Sequence, residues 1–548
     1  MRATRLSTTP ISTTEGTRRP HPLRRPGRRR GPGGRLSVAI AMLLLAAACV
    51  APGQAPTGPP LPPPAPPGAD RPAAHPNIVM FLVDDLDATA TPYWDALPRT
   101  KSLLADRGLT FSNAFAPTPI CCPARATILT GRYGHNTNVL TNGGPHGGWG
   151  SFVAGGGEER AFPVALQASG YRTMLAGKYL NGYESDPTHV PPGWDEWYAG
   201  ADNLLYTGYG YTLNENGTLV KYGNRPQDYA TDVISAKTMD FIDRAEQRDD
   251  QPFFAYVAPT APHLPLQAPP RYAQNPWTGA EAPRTPNYYE ADLSDKSVWL
   301  RGSAASHDAT KDFNDQDFRN RMGSLLAVDD MVAGVVETLT THGELDNTVL
   351  MFVSDNGYNL GSHKLIHKMA PYEESVRVPM VMAGPGIRHG VESAMVIQPD
   401  IAPTLLDLAG VTAPDWTDGV SLRPLFDGPA PATWRTDFLG QYLGGAAANG
   451  IGAELPPTLN FALFVMLLGQ EIPTYTSIRT TDWLYVEWDQ APIGQGIGAE
   501  LYDLRGDPYE LDNLLATREG AAANQQTVAT LQARMAQLAA CAGATCRI

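Results

Sequence analysis

The sequence predicts an α/β protein with a large, mostly parallel sheet sandwiched by helices and a smaller C-terminal α+β subdomain. From Asn77 onward, short apolar runs alternate with helix-like segments, which is the pattern of a parallel sheet covered on both faces. After a turn-rich stretch over residues 411–433, the pattern changes to a shorter β-containing module with a helical tail. The 548 residues, 43% of them hydrophobic, suffice for one large domain and a smaller one.

The individual elements follow from local pattern. Predicted strands are short runs of apolar and β-branched residues, at 77–83, 172–176, 253–257, 348–354 and 378–382. Predicted helices have apolar residues at helical spacing, at 102–107, 162–169, 319–342, 401–408 and 526–539. These elements predict a large domain over 77–415 and a C-terminal subdomain over 430–548. The solid apolar run 461–468 is too short to span a bilayer and is predicted to be a buried strand or helix.

The N-terminus predicts export. Residues 1–35 carry ten arginines and one acid, and the apolar run 38–48 that follows is too short to cross a membrane, so residues 1–49 read as an export signal. Ala46-Ala47-Ala48-Cys49 resembles a bacterial lipobox, in which Cys49 would carry a lipid; ordinary cleavage after Ala48 is the alternative. Residues 50–76 form a Pro-rich, extended linker. We expect an exported protein, extracellular or attached to the bacterial cell surface, that meets a membrane only through a lipid on Cys49.

The charge balance limits the partners. The net charge is −14, and because the leader is basic, the remainder of the chain carries about −23. This balance argues against nucleic acid as a partner and provides no general attraction for polyanions. An anionic substrate would have to be held by a local cluster of Arg, Lys, His and metal.

Four cysteines follow Cys49. Cys541 and Cys546 suit a small disulfide loop in an exported protein. A bridge between Cys121 and Cys122 would need a strained vicinal geometry. No CxxC pair or Cys/His cluster in the sequence indicates zinc.

The run P-I-C-C-P-A-R-A-T-I-L-T-G at 119–131 is the most informative feature of the chain. Pro123 suits the first turn of a helix and Gly131 can close it. Cys121 would then sit at the helix N-terminus, where backbone N–H groups and the dipole face an anion, and Arg125 adds a positive charge one turn on. The alternative is a buried Cys-Cys pair before an ordinary helix, and the length of the run argues against it.

Polar pairs end two of the predicted strands. Asp84 and Asp85 follow strand 77–83, and Asp355-Asn356 follow strand 348–354. Carboxylates at the C-terminal ends of buried parallel strands are costly unless a cation neutralises them. Their hard oxygen atoms suit Ca²⁺, and Mg²⁺ less well, rather than zinc. Taken singly, each pair could be a turn or a cap.

The run at 119–131 resembles the sulfatase signature, and the resemblance extends over about 77–513. Gly177-Lys178-Tyr179 resembles the GK motif of that family, Pro262-His263-x-Pro265 its PHxP motif, and Lys368 its second lysine. Within the family, four stretches are most similar to the N-acetylglucosamine-6-sulfatases and the extracellular heparan endosulfatases: Cys121-Cys122-Pro123, 131–136, 177–181 and 328–330.

The resemblance implies a modified nucleophile and a metal. In sulfatases a formylglycine-generating enzyme oxidises the first Cys of the signature, and the hydrate of the resulting aldehyde attacks the sulfur of a sulfate ester. Here that residue would be Cys121. The residues that the resemblance places around one Ca²⁺ are Asp84, Asp85, modified Cys121, Asp355 and Asn356.

The resemblance also assigns the remaining roles. Arg125, Lys178 and Lys368 would hold the sulfate and neutralise the developing charge. His263 or Lys368 would protonate the departing alcohol. The sulfated hydrate would then collapse back to the aldehyde and release sulfate.

One position departs from the common pattern. Many sulfatases carry a His two residues after the first lysine, where it takes a proton from the hydrate, and here that position is Leu180. His135, His363 and His367 are candidates for the missing base, of which His135 is favoured. The neighbouring Asn181 could bind substrate.

The leading substrate implied by the resemblance is a 6-sulfated N-acetylglucosamine, free or in a glycosaminoglycan, with an aryl sulfate as fallback. The aromatic group Trp194, Trp197 and Tyr198 could form a sugar platform or belong to the core. Two rival functions remain. One is a phosphodiesterase or phosphonate monoester hydrolase of the same fold, and the other is a non-catalytic exported glycan-binding protein with unmodified Cys121.

Overall fold

The computed structural model describes residues 75–247, 251–303, 311–444, 472–489 and 498–547. The predicted export signal, nearly all of the Pro-rich linker and the apolar run 461–468 lie outside these residues. Within the described part of the chain, no helix combines the length and apolarity needed to cross a bilayer.

The strands, numbered in chain order, are β1 (Asn77–Val83), β2 (Leu109–Phe111), β3 (Ala114–Phe115), β4 (Arg172–Gly177), β5 (Glu196–Gly200), β6 (Thr212–Glu215), β7 (Thr218–Lys221), β8 (Phe253–Ala258), β9 (Thr348–Ser354), β10 (Asn359–Leu360), β11 (Ile366–His367), β12 (Met380–Ala383), β13 (Gly390–Glu392), β14 (Val396–Ile397), β15 (Asp437–Tyr442), β16 (Tyr475–Thr480), β17 (Trp483–Trp488) and β18 (Ala499–Asp503). The α-helices are α1 (Pro98–Thr100), α2 (Cys121–Thr130), α3 (Gly134–Thr137), α4 (Gly148–Ala154), α5 (Phe162–Ala168), α6 (Ala230–Glu246), α7 (Val298–Ser303), α8 (Lys311–His342), α9 (Glu373–Val376), α10 (Ile401–Leu408), α11 (Arg518–Ala523) and α12 (Gln525–Ala539).

Ten strands form the main sheet, in the order β13-β2-β12-β9-β1-β8-β4-β5-β6-β7. The central strands β9, β1, β8, β4 and β5 run parallel to one another. Antiparallel partners flank them, with β12 against β9 on one side and β6 against β5 on the other. The predicted large, mostly parallel sheet is confirmed.

Both faces of the sheet are buried. Every residue of β1 is buried, and alternate side chains feed two different hydrophobic clusters. Ile78 and Met80 pack on the face covered by α2, α5 and α10, whereas Val79 and Phe81 pack on the face covered by α6 and α8. This two-sided burial explains why β1 reads as a continuous apolar run.

The C-terminal module is a four-stranded antiparallel sheet, β15-β16-β17-β18, with α12 packed on it. Its core is shared with the large domain, because the ring of Phe438 lies 4.9 Å from that of Phe115. Cys541 and Cys546 form the predicted disulfide, with an S–S distance of 2.02 Å. Cys121 and Cys122 are buried and form no disulfide.

Two predicted helices begin earlier than expected. The segment predicted at 102–107 starts at Pro98 as α1 and continues as one π-helical turn, Lys101–Ala105. Pro98 favours the first turn, and the carboxylate of Asp329 accepts a hydrogen bond from the backbone N–H of Thr100 at 2.7 Å. The helix predicted at 319–342 starts at Lys311, because its first turns are too polar to show the apolar periodicity.

Candidate active site

The charged residues of the site emerge from neighbouring strand ends. The register pairs Val83 of β1 with Ser354 of β9, and Gly177 of β4 with Ala258 of β8. The residues that follow these strands, which include Asp84, Asp355 and Lys178, therefore leave the sheet at one edge. This is the edge at which parallel α/β sheets place their sites.

Cys121 is the first residue of α2. The backbone N–H of Cys122 donates to Asn142 Oδ1 at 2.9 Å, which satisfies one of the free amides at this helix end. Gly131 ends the helix in the left-handed region, with φ 68°. The local structure predicted from the 119–131 run is thus present, and Cys121 faces the positive end of the helix dipole.

Cations and carboxylates surround the Cys121 thiol. Lys368 Nζ lies 2.8 Å from Sγ, and the thiol lies 3.8 Å from Asp84 Oδ1. Lys178 Nζ is 2.7 Å from Asp84 Oδ2, and Lys368 also pairs with Asp85. All of these side chains are buried.

Arg125 is held in a fixed orientation one turn along α2. Its side chain is completely buried, its Nε donates to Asp355 Oδ2 at 2.8 Å, and its Nη1 donates to the Lys178 carbonyl at 3.0 Å. Its Nη2 lies 3.8 Å from Asp84 Oδ2 and makes no hydrogen bond. The guanidinium therefore keeps one donor without a hydrogen bond near the Asp84 carboxylate.

The electrostatics keep the carboxylates ionised. Burial raises the pKa of Asp84, but the charges of Lys178 and His263 outweigh burial and hold that pKa well below its usual range. Burial acts on Asp85 in the same way, and there the charges of Lys368 and His263 lower the pKa to about 2.

The cationic groups are stabilised reciprocally. Burial lowers the pKa of His263, but its neighbours Asp85 and Asp84 raise it well above the usual value. His263 Nε2 lies 3.5 Å from Asp85 Oδ2. Burial likewise lowers the pKa of Lys178, and Asp84 raises it well above normal.

Burial together with the charge of Asp84 raises the pKa of Asp355 to about 6.

The oxygen atoms of the site fit a hard divalent cation. Asp85 Oδ2 and Asn356 Oδ1 are buried and make no hydrogen bond. Asp85 has a left-handed backbone with φ 66°, and its Oδ1 accepts from Asn356 Nδ2 at 2.7 Å. One ligand atom each from Asp84, Asp85, Cys121 and His263 lies within 4.8 Å of the others. The carboxylate and amide oxygens in this group suit Ca²⁺ or Mg²⁺, which take oxygen ligands.

Three residues around the site were not indicated by any motif. The ring centroid of Tyr206 lies 4.7 Å from that of His263 and 5.0 Å from Lys178 Nζ, and its hydroxyl accepts from Asn181 Nδ2 at 3.4 Å. Arg321 of α8 donates to the Asp85 carbonyl. Gln398 Nε2 donates to the carbonyl of Ser354 at 3.1 Å. For Arg321 the sequence provided a weak indication of a special role, because this charged residue lies among the apolar positions of a predicted helix.

Two of the three candidates for the missing base, His135 and His363, contact other groups rather than the thiol. His135 Nδ1 lies 2.7 Å from Gln441 Oε1 and its Nε2 lies 3.1 Å from the Cys541 carbonyl, so His135 serves the contact with the C-terminal module. His363 pairs with Glu290 in a separate buried cluster. The ring centroid of His367 lies 5.4 Å from that of Tyr358. The preference for His135 is therefore not retained.

The aromatic group considered as a sugar platform belongs to the core. Trp197 is fully buried, and Trp194 packs against Phe254 and Tyr256. Tyr198 is also buried and donates to Glu196 Oε2 at 2.8 Å.

Comparison with known proteins identifies the family. The model of the sulfatase family matches residues 76–411. Human N-acetylglucosamine-6-sulfatase is 35% identical over 497 residues, which is 86% of each chain. The fold resembles a solved protein bound to its substrate D-glucosamine-2-N,6-O-disulfate, with a TM-score of 0.65 and 23% identity over 84% of this chain and 98% of that one. It also resembles a phosphonate monoester hydrolase from Silicibacter pomeroyi, with a TM-score of 0.61 and 21% identity over 84% and 95%. The chain belongs to the sulfatase family and is a sulfuric ester hydrolase.

Proposed function

We propose that this sulfatase uses a formylglycine made from Cys121 and a bound Ca²⁺ to release sulfate from 6-sulfated N-acetylglucosamine. The observation that carries the proposal is the position of Cys121. Its thiol lies at the positive end of α2, 2.8 Å from Lys368 Nζ and beside the carboxylate of Asp84.

The unmodified chain contains neither the nucleophile nor the metal. Oxidation of Cys121 by a formylglycine-generating enzyme would supply an aldehyde hydrate as the nucleophile. The residues that would hold the ion are Asp84, Asp85, Asp355 and Asn356, together with the modified residue 121. The ion would supply positive charge for the sulfate oxygens.

Three cationic side chains would bind the sulfate. Arg125 offers its Nη2, which makes no hydrogen bond. Lys178 and Lys368 are buried, and each is oriented by an aspartate, Asp84 for the first and Asp85 for the second. Because these cations are fixed before substrate arrives, they can stabilise the developing charge without reorganisation.

His263 is the proposed general acid, with Lys368 as the alternative. Burial lowers the pKa of the His263 imidazole, but Asp85 and Asp84 raise it well above its usual value, which favours the proton-donating form. A sugar alkoxide is a poor leaving group, so a proton delivered to its oxygen lowers the barrier to S–O cleavage. Among the described residues, the His263 imidazole also lies in the cluster with Cys121, with ligand atoms within 4.8 Å of one another.

The substrate assignment is supported by relatives. The human relative is named for N-acetylglucosamine 6-sulfate, and the solved structure of similar fold binds a 6-O-sulfated glucosamine. Asn181 and Tyr206, which touch each other beside Lys178 and His263, are the proposed contacts for the sugar. An aryl sulfate remains the simpler alternative substrate.

Phosphorus esters are the second candidate. The fold is shared with a phosphonate monoester hydrolase, and a cluster of fixed cations can bind either anion. Parallel rates on 6-sulfated N-acetylglucosamine, 4-nitrophenyl sulfate and a phenyl phosphonate ester distinguish the two functions. We expect the sulfate esters to be turned over faster.

Peptide mass spectrometry across residue 121, on protein exported from its own host, tests the nucleophile. We expect formylglycine at position 121 and Cys at position 122, and we expect Cys121→Ala to abolish sulfate release while Cys122→Ala retains it. Unmodified Cys121 in that protein, together with glycan binding but no turnover, would instead support the non-catalytic binding protein. Normal turnover by Cys121→Ala would refute the proposal.

Export and attachment are part of the proposal. The basic leader, its apolar run and the Pro-rich linker support an extracellular or surface-attached enzyme. Mass spectrometry of the mature N-terminus tests the attachment, because a fatty acid on Cys49 would establish a lipoprotein and cleavage after Ala48 without lipid would establish a secreted enzyme.

A further inference from the structure

A second cluster of buried ionisable side chains lies outside the group around Cys121. It contains His363 from the loop between β10 and β11, Glu374 of α9, and Glu510 from the segment after β18. One ligand atom of each lies within 4.8 Å of the others, and all three side chains are buried. The cluster therefore joins the large domain to the C-terminal module.

The orientation of His363 is that of a metal ligand. Its Nδ1 lies 2.7 Å from Glu290 Oε2, so a proton on Nδ1 is donated to a carboxylate. Its Nε2 then faces the cluster, 3.8 Å from Glu510 Oε2. A carboxylate that fixes the tautomer and ring orientation in this way is the usual partner of a metal-binding histidine.

Glu374 provides an independent indication of a ligand. Its Oε1 accepts from Asn287 Nδ2 at 2.8 Å, whereas its Oε2 is buried and makes no hydrogen bond. Glu374 is only 3% exposed, and an unpartnered buried carboxylate oxygen costs free energy unless a cation or donor meets it. The same Asn287 Nδ2 lies 3.3 Å from His363 Nε2, so this amide holds Glu374 and His363 side by side.

The charges of the cluster leave room for a divalent cation. The three carboxylates are Glu290, Glu374 and Glu510, and Lys296 Nζ, 3.3 Å from Glu290 Oε1, offsets one of them. Glu373, which is adjacent, is already paired with two arginines: Arg377 at 2.6 Å and Arg479 at 2.8 Å. Burial lowers the pKa of His363, but Glu290 and Glu510 raise it to about 9, and burial raises the pKa of Glu510 to about 8. A divalent ion would displace these two protons, after which the cluster carries two excess negative charges.

We propose that His363, Glu374 and Glu510 bind a divalent first-row transition ion, of which Zn²⁺ is the representative, at a structural site distinct from the catalytic one. One imidazole nitrogen with carboxylate oxygens is a donor set for such ions, whereas Ca²⁺ takes oxygen alone. The ion would fasten the C-terminal segment at Glu510 to the large domain. A cavity of about 450 Å³ lies beside the cluster and is lined by Glu374 and Tyr509 among others.

A metal titration of the full-length protein tests this proposal. The protein is stripped with a chelator, Ca²⁺ is added in excess to fill the catalytic site, and Co²⁺ is then titrated as a spectroscopic substitute for Zn²⁺. We expect one Co²⁺ per chain, visible absorption typical of nitrogen and oxygen ligands, and a higher midpoint of thermal unfolding. No Co²⁺ binding, or binding without a rise in the unfolding midpoint, would overturn the proposal.

Matched variants locate the bound ion. We expect Glu374→Gln to weaken Co²⁺ binding more than about 100-fold, and Glu290→Gln, which orients His363, to weaken it by about 10–100-fold. Asp85→Asn, in the catalytic cluster, should leave Co²⁺ affinity within about twofold because distant sites act independently. The reverse pattern, with binding lost in Asp85→Asn and kept in Glu374→Gln, would refute the site. Glu510→Gln replaces Glu374→Gln if the latter does not fold, with the same expected loss.

Discussion

Buried charge around residue 121 is nearly balanced, with a small excess of positive charge. The cationic side chains are Arg125, Lys178, Lys368 and His263, and the carboxylates are Asp84, Asp85 and Asp355. In a site closed to water, this excess favours an anion over a neutral ligand. A divalent cation at the orphaned oxygens of Asp85 and Asn356 would increase that preference.

His263 gives a prediction at this scale that depends on the leaving group. We expect His263→Gln to lower kcat by about 10²–10⁴-fold on 6-sulfated N-acetylglucosamine, because the sugar alkoxide needs a proton. On 4-nitrophenyl sulfate, whose phenolate leaves without a proton, the same variant should lose less than about tenfold. Steady-state kinetics on both substrates measure the difference.

His135→Gln is the control for this experiment, because His135 contacts Gln441 and the Cys541 carbonyl rather than the thiol. We expect it to keep its activity on both substrates. If His263→Gln lowers kcat equally on the two substrates, His263 is not the acid. That result would favour a role of His263 in sulfate binding, with Lys368 as the acid.

Metal removal gives a second prediction for the same residues. Dialysis against a calcium chelator should abolish sulfate release, since Asp85 Oδ2 and Asn356 Oδ1 are buried oxygens without a hydrogen bond, which a cation would satisfy. Ca²⁺ should restore activity more fully than Mg²⁺, because an irregular set of carboxylates and an amide suits the larger ion. Full activity in the dialysed enzyme, with its calcium content measured as zero, would rule out the metal.

At the scale of elements, strand ends bring together residues that are far apart in sequence. Lys178 is positioned by its backbone, whose N–H donates to the Ala258 carbonyl at 2.8 Å. The preceding Gly177 has φ 113°, and a Cβ on it would lie 2.0 Å from that same carbonyl oxygen. The glycine of the GK motif therefore allows β4 to approach β8 closely just before the lysine.

Gly177→Ala tests this contact, with Gly170→Ala as a matched control. Gly170 also has a left-handed backbone, with φ 99°, but a Cβ there meets nothing within 4 Å. We expect Gly170→Ala to cost about 1–2 kcal/mol of unfolding free energy. Gly177→Ala should cost about 1–3 kcal/mol more and should also lower kcat, because the clash displaces Lys178. Chemical denaturation and kinetics measure both effects, and identical behaviour of the two variants would contradict the argument.

The central elements and the motif residues could be predicted from sequence, whereas other parts could not. β1 and β9 are apolar throughout because both faces are buried, and this signal is strong. The edge strand β7 and its neighbour β6 are four residues long and carry no such signal. Tyr206 lies in a short 3₁₀ helix, Asn203–Thr207, and its role depends on distances that sequence spacing does not encode.

The second cluster was missed for a similar reason. Its ligands are 11 and 136 residues apart along the chain, as the numbers of His363, Glu374 and Glu510 show, so no spacing motif links them. His363 was recognised as a notable histidine, but sequence alone favoured a role near the thiol. Tertiary structure instead places it against Glu290.

On the scale of the whole molecule, the C-terminal module and the large domain share one folded structure. Phe115, Tyr133 and Val376 of the large domain pack in the same cluster as Phe438 and Ile478 of the small sheet. Ion pairs reinforce the contact, with Arg479 Nε 2.8 Å from Glu373 Oε1. We therefore expect the sulfatase to unfold in a single transition, although the sequence divides into two regions of different pattern.

Phe438→Ala tests this coupling. Phe438 is 1% exposed and its ring packs on that of Phe115, so truncation should lower the free energy of unfolding by about 3–5 kcal/mol. If the two parts form one cooperative unit, the near-UV circular dichroism of the whole chain and the sulfatase activity are lost together. Both losses occur at a lower denaturant concentration than in the unchanged protein. Leu219→Ala, at a residue of β7 that is 47% exposed, should change stability little. Two separate transitions in Phe438→Ala, with activity surviving the first, would instead mean that the large domain folds and works without the small sheet.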